Sequence, residues 1–221
     1  MNLRGIFISA LLCSLSTSLW ARTNKAPASD ASGWIDIMPD ESLKGWTRVP
    51  IPPGKLLNPV SQWKLDMAHH TIVCEGDRGH EWLRYNRELG NLILHVEWRF
   101  TPREGLKGYN SGVFVRNSDD GRVWLQAQAG AGNDGFLFGQ TLVDGKLTEI
   151  KFGPKPAVNH IKPAGEWNIY EIRCEGPNVT LSVNGEVSSE FAIPEVLKGY
   201  LGLEAEGFHI EFRNVKIKLL P

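Results

Sequence analysis

The chain has 221 residues, of which 42% are hydrophobic and 22% charged, and a formal net charge of −1. A balance this close to neutral gives no electrostatic reason to expect nucleic acid or an anionic membrane surface as a partner. Cys13, Cys74 and Cys174 are too scattered for a clustered cysteine metal site.

Arg4, an apolar run from Ile6 to Leu12 and a Ser/Leu-rich stretch ending at Trp20-Ala21 have the layout of a secretory signal peptide over residues 1–21. The run is shorter than the ~20 apolar residues of a membrane span, and no later stretch is long enough for one. Cleavage near Ala21 predicts an exported protein, periplasmic or secreted. Its charge would be −2, because Arg4 is the charged residue lost. Residues 22–32 are small and polar around Pro27 and read as a disordered spacer. Residues 33–221 then form one domain, long enough to bury a sizeable core. Cys74 and Cys174, each followed by Glu-Gly, could pair in an exported protein or stay as two buried thiols, and spacing leaves both open.

Strand signals follow at residues 71–74, 82–85, 92–100, 112–116, 123–127, 149–152, 167–174, 179–183, 199–205 and 210–218. Turn residues separate them, notably Asp144-Gly145 and Asn184-Gly185, the latter placed as in a tight hairpin. Residues 194–198 could form a short helical turn. The apolar phase slips from Ile210 and Phe212 to Val215 and Ile217, which predicts a bulge near Arg213 and Asn214. Many short strands without long helical periodicity predict an all-β sandwich or barrel.

Polar residues alternate with apolar ones along several of these strands. In residues 92–100 the polar face carries His95 and Glu97, about 7 Å apart at ~3.4 Å per residue, a spacing that could flank a sugar. Arg116 would join them if its strand pairs in register with theirs. Trp124, Gln126 and Gln128 share one face, an aromatic flanked by amides that suits a sugar ring and its hydroxyls. Glu204 and Glu206 share another and could line a cleft or hold a cation. Each set also reads as a solvated strand face. The six histidines show no metal-ligand spacing, and there is no Gly-x-Ser-x-Gly elbow.

Gly45-Trp46, Val96-Glu-Trp-Arg-Phe100, Tyr109-Asn-Ser-Gly-Val-Phe-Val-Arg116, Gln126-x-Gln128, Gly165-Glu-Trp-Asn168, Gly199-Tyr-Leu-Gly-Leu203 and Phe212-Arg-Asn-Val215 together resemble the bacterial family of the 3-keto-disaccharide hydrolase domain. The resemblance covers about residues 35–219. It implies a concanavalin A-like jelly-roll sandwich of two antiparallel sheets with a carbohydrate on its concave face. It also implies an enzyme cleaving 3-keto-glycosides, by hydrolysis or by β-elimination with hydration. The chain departs from the family pattern at Gln126, where many members carry Glu, and at Glu204 and Glu206, where members often read Gly-Leu-Gln.

A ketone at C3 acidifies the C2 proton, so the reaction needs a base, a group to stabilise the enediolate and a proton for the leaving oxygen. On the family pattern Glu97 is the expected base and Arg116 the stabiliser of negative charge. His95, Glu204 and Glu206 are candidates for the acid or for a divalent cation. Asn110, Trp124, Gln126 and Gln128 are the expected substrate-binding residues. The alternative is a non-catalytic carbohydrate-binding module of the same fold. Clustering of Glu97 with Arg116 in a cleft would favour catalysis, and separate ion pairs would favour binding.

Overall fold

The protein is described by a computed structural model that covers residues 32–130, 132, 135–150 and 159–221. The expected signal peptide, and the spacer up to Ala31, lie outside these residues. In chain order the strands are β1 (Trp34–Asp36), β2 (Trp46–Pro50), β3 (Trp63–Asp66), β4 (Thr71–Cys74), β5 (Glu81–Tyr85), β6 (Leu92–Phe100), β7 (Asn110–Asn117) and β8 (Trp124–Gly130). There follow β9 (Leu137–Val143), β10 (Lys146–Ile150), β11 (Asn168–Glu175), β12 (Asn178–Val183), β13 (Glu186–Ala192), β14 (Tyr200–Ala205) and β15 (Ile210–Leu219). Among the described residues there is no helix. The expected helical turn at 194–198 shrinks to one turn, closed by the Val196 amide on the Ile193 carbonyl.

The strands form two antiparallel sheets, and the fold is the expected jelly-roll sandwich. One has eight strands, in the order β13-β12-β11-β6-β15-β4-β3 with β1 against β15. The other has seven, in the order β10-β9-β8-β7-β14-β5-β2. The core lies between them and is built by period-two alternation. In β6, Leu92, Leu94, Val96, Trp98 and Phe100 are buried while His95, Glu97 and Arg99 lie on the outer side. Burying each large apolar side chain stabilises the sandwich by about 1.5–3 kcal/mol.

Two turns follow their residues closely. Asp144-Gly145 joins β9 to β10 and Asn184-Gly185 joins β12 to β13, all four residues with positive φ (51°, 67°, 52° and 94°), as a two-residue hairpin of the favoured twist requires. The expected bulge is present: β15 slips against β6 between Arg213 and Lys216, with Asn214 at φ 49°.

Other expectations need correction. β6 and β7 do not pair: β6 lies between β11 and β15 in one sheet, β7 between β8 and β14 in the other. The connection between them therefore crosses the sandwich rather than closing a hairpin. β9 carried no strand expectation because Gly139 interrupts its apolar run. A Cβ there would lie 2.1 Å from the Trp124 carbonyl oxygen, so the glycine is what allows β9 to pack on β8. Cys74 on β4 and Cys174 on β11 are free and buried. Burial pushes the Cys174 thiol up to about 11.

Candidate functional site

A cleft of about 520 Å³ opens on the outer face of the seven-stranded sheet. Alternation puts its residues there. Leu125, Ala127 and Ala129 of β8 enter the core, so Trp124, Gln126 and Gln128 face the cleft. On β14, Leu201, Leu203 and Ala205 face inward and Glu204 outward, with Glu206 following in the same phase. Glu204 pairs with Trp82 of β5, which brings His80, two residues before Trp82, alongside the two carboxylates. Two glycines keep the floor low. A Cβ on Gly112 would lie 2.3 Å from Gln126 Nε2, and one on Gly202 would lie 2.3 Å from Trp82 Cε3.

His80 Nε2 lies 2.8 Å from Glu204 Oε1 and 3.9 Å from Glu206 Oε2. Gln126 Nε2 donates to Glu204 Oε2 at 2.7 Å, Asn110 Nδ2 donates to Glu206 Oε2 at 2.7 Å, and Gln128 Nε2 donates to Asn110 Oδ1 at 2.6 Å. Glu204 is 2% exposed. Its burial pushes the carboxyl above the ordinary carboxylate range, more than the His80 and Gln126 hydrogen bonds pull it down. Burial pulls the His80 imidazole down, but the hydrogen bond and charge of Glu204, with Glu206, outweigh it and the net shift is upward. The pair thus retains protons at pH values where separate groups would release them. His80, Glu204 and Glu206 could also hold a cation, since one ligand atom from each lies within 4.8 Å of the others. A histidine with two carboxylates suits a divalent metal. A cation bound by both Glu204 oxygens would displace the His80 and Gln126 contacts.

The expected binding residues Asn110, Trp124, Gln126 and Gln128 all line this cleft, together with Glu204 and Glu206. The three residues expected to act with them do not. Glu97 lies on the outer face of the opposite sheet, where it accepts hydrogen bonds from Arg213 Nε at 2.7 Å and Asn214 Nδ2 at 2.6 Å. Burial raises its pKa, but these two partners outweigh that and hold it below the usual range. His95 sits on the same face, 3.2 Å from Glu171 and 3.8 Å from Glu97. Arg116 is 3% exposed and left-handed at φ 59°, and it donates to the Val196 and Gly176 carbonyls at 3.0 and 3.2 Å. Glu97 and Arg116 therefore belong to separate networks, because their strands belong to separate sheets. Glu97→Gln is expected to lower stability by about 1 kcal/mol, as for a partly exposed pair. Turnover per folded molecule should stay within a few-fold, and a thermal melt with an activity assay on one preparation checks both.

His80 is the site residue that the strand-face reading passed over. It stands just before a recognised strand, in phase with Trp82, and counting that phase back by two would have marked it as outward-facing. Its meeting with Glu204 depends on the pairing of β5 with β14, which has no local signal.

A family profile described as the 3-keto-α-glucoside-1,2-lyase-like domain matches residues 33–218. A search of curated proteins gives no match. Among solved structures, a Parabacteroides distasonis protein described as a "putative glycosyl hydrolase" superposes with a TM-score of 0.59 at 18% identity, over 86% of this chain and 96% of that one. The carbohydrate-binding module CBM66 from Bacillus subtilis superposes with a TM-score of 0.57 at 15% identity, over 79% of this chain and 95% of that one. At these identities the likeness is one of fold.

Proposed function

Because the chain belongs to the family of the 3-keto-α-glucoside-1,2-lyase-like domain, a carbohydrate-active family, we propose that it cleaves 3-keto-glycosides in the cleft around His80, Glu204 and Glu206. The observation that carries this reading is the buried, proton-retaining Glu204 hydrogen-bonded to a cleft-facing histidine, with a second carboxylate beside them. Perturbed titratable groups gathered in a cleft are what acid–base chemistry requires.

Glu206 is the base. It takes the C2 proton, and the C2–H electron pair moves into the adjacent ketone to form an enediolate. When that collapses, C1 and C2 become doubly bonded and the C1–O bond breaks. The departing oxygen receives a proton from His80, which Glu204 holds in place and reprotonates. Asn110 and Gln128, already linked to each other, offer amides to the sugar oxygens. Water adding across C1=C2 would return a 3-keto sugar. Amide hydrogen bonds to the oxyanion as it forms and protonation of the leaving group lower the barrier for the two charge-building steps.

A second reading, a carbohydrate-binding module without turnover, is favoured by the separation of Glu97 from Arg116. Incubating the purified protein with a 3-keto-glucoside and with its non-oxidised parent, with and without chelator, separates the two. Aglycone release from the ketone alone supports the enzyme, and binding of both with release from neither supports the module. Loss of release with chelator would assign the three-residue cluster a cation.

Export belongs to this proposal as well. On the basis of Arg4 and the Ile6–Leu12 run, the protein recovered from outside the cytoplasm of a bacterial host is expected to lack residues 1–21. Intact-mass measurement checks it, and a mass that retains them would count against export.

A further inference from the structure

The cleft has two chemically distinct ends, and on the reading above we infer that the glycosides it takes carry an aromatic aglycone, seated against the rings of Trp124 and Phe138. At one end stand His80, Glu204, Glu206, Asn110 and Gln128, dense in hydrogen-bonding groups. At the other stand Phe114, Trp124 and Phe138, with Asn117 and Arg122 beside them. The polar groups of this end are already engaged: Gln140 Nε2 donates to the Arg122 carbonyl at 3.1 Å, Asn117 Oδ1 accepts from the Leu125 amide at 3.1 Å, and Arg122 Nε lies 3.1 Å from Asp120.

Strand register gives the separation of the two ends. Leu203 pairs with Val113, so Glu204 stands next to Gly112, which pairs with Gln128 on β8. Trp124 lies four residues farther along β8. Two strand spacings across and four residues along put Trp124 roughly 16 Å from Glu204, measured between backbones. A single sugar ring held at Glu204 does not span that distance, so Trp124 meets the next group, bonded through C1. A second sugar in that position would bring hydroxyls into a region with few free donors and acceptors, and each unpaired one would oppose binding. A flat apolar ring has no such need. Trp124 stands at 90° to Phe114 and at 89° to Phe138, with ring centroids 6.4 and 5.2 Å away. A planar ligand ring placed among perpendicular rings meets one face-on and another edge-on, both favourable for aromatic pairs.

The test measures binding separately from turnover, so that failure of the cleavage reading and failure of this one can be told apart. Phenyl, methyl and glucosyl 3-keto-glucosides, in both anomers, are compared by saturation-transfer NMR and titration with the Glu206→Gln protein, alone and combined with Trp124→Ala or Trp124→Phe, and cleavage is followed separately with the parent. Thermal melts confirm that each variant is folded. The expected result is that phenyl binds about tenfold more tightly than methyl or glucosyl, that the preference falls to within about twofold in Trp124→Ala, and that Trp124→Phe restores most of it. Equal affinity for phenyl and methyl, tighter binding of the glucosyl compound, or a phenyl preference that survives in Trp124→Ala would each overturn the inference. Aromatic-selective binding without cleavage of any ketone would sustain the inference and defeat only the catalytic reading.

Discussion

Glu206→Gln is expected to cut turnover of a 3-keto-glycoside by about 10²–10⁴-fold, the usual contribution of a positioned base, with the fold intact. The amide keeps the shape and the Asn110 contact and cannot take a proton. Glu204→Gln is expected to lower turnover too, but with a different signature, because Glu204 acts through His80. A carboxyl whose folded pKa is raised adds stability below its unfolded value, about 4.3, and loses it as pH rises through the folded value. The raised His80 behaves in the same sense above its unfolded value, about 6.5. Removing the Glu204 carboxyl removes the first dependence and weakens the second, which is left with Glu206 alone to raise it. The melting temperature of Glu204→Gln, taken relative to the parent, should therefore rise as pH goes from about 4 to 7, and the alkaline limb of its pH–rate profile should move to lower pH. Differential scanning at several pH values checks the first and steady-state rates the second. A variant destabilised equally at all pH values, with an unshifted profile, would reduce Glu204 to a structural hydrogen-bond partner.

The largest loss of stability is expected from Glu81→Ala. Glu81 is 1% exposed and points between the sheets, where Arg48 Nε and Nη2 donate to it at 3.0 and 2.7 Å and Trp63 Nε1 at 2.9 Å. These contacts tie β2 and β5 of one sheet to β3 of the other. Truncation strands a mostly buried guanidinium and an indole N–H, which for buried pairs costs ~3–5 kcal/mol; the partial exposure of Arg48 puts the value here near about 3. In a domain of this size that lowers the melting temperature by about 6–12 °C. Glu81→Gln, which can still accept from Trp63, should lose less. The effect should reach the site as well, because the Ile51 amide donates to the His80 carbonyl at 3.0 Å in the segment that Glu81 anchors. A melting temperature within 2 °C of the parent for Glu81→Ala, against the range expected for a buried pair, would show the clasp to be dispensable.

Much of the site was legible because a strand's faces are a local property. Trp124, Gln126 and Gln128 alternate with residues of the core, and Glu204 and Glu206 alternate with Leu203 and Ala205, so their outward direction follows from the chain itself. The hairpins at Asp144-Gly145 and Asn184-Gly185, and the bulge at Asn214, are local as well. Sheet membership is not. The polar face of β6 is real, with His95 and Glu97 on one side as expected, but it belongs to the opposite sheet and its charges are taken up by Arg213, Asn214 and Glu171. The segment between Phe100 and Asn110 carries turn residues that serve a hairpin or a crossing equally well, so Arg116 could be placed beside Glu97 only by assuming a pairing. Arg116 also reads as an outward polar residue, whereas a left-handed backbone and two carbonyl acceptors bury it. His80 was missed for the converse reason. Its phase was visible, and its partner, 124 residues away, was not.

The central claim is that this cleft removes the C2 proton of a 3-keto-glycoside, and proton NMR of the reaction run in deuterium oxide tests it most directly. Elimination followed by hydration must return solvent hydrogen to C2. The account predicts a released 3-keto sugar deuterated at C2, or an unsaturated product with no hydrogen there, formed by the parent protein and lost in Glu206→Gln. A sugar released with its C2 proton fully retained would contradict it.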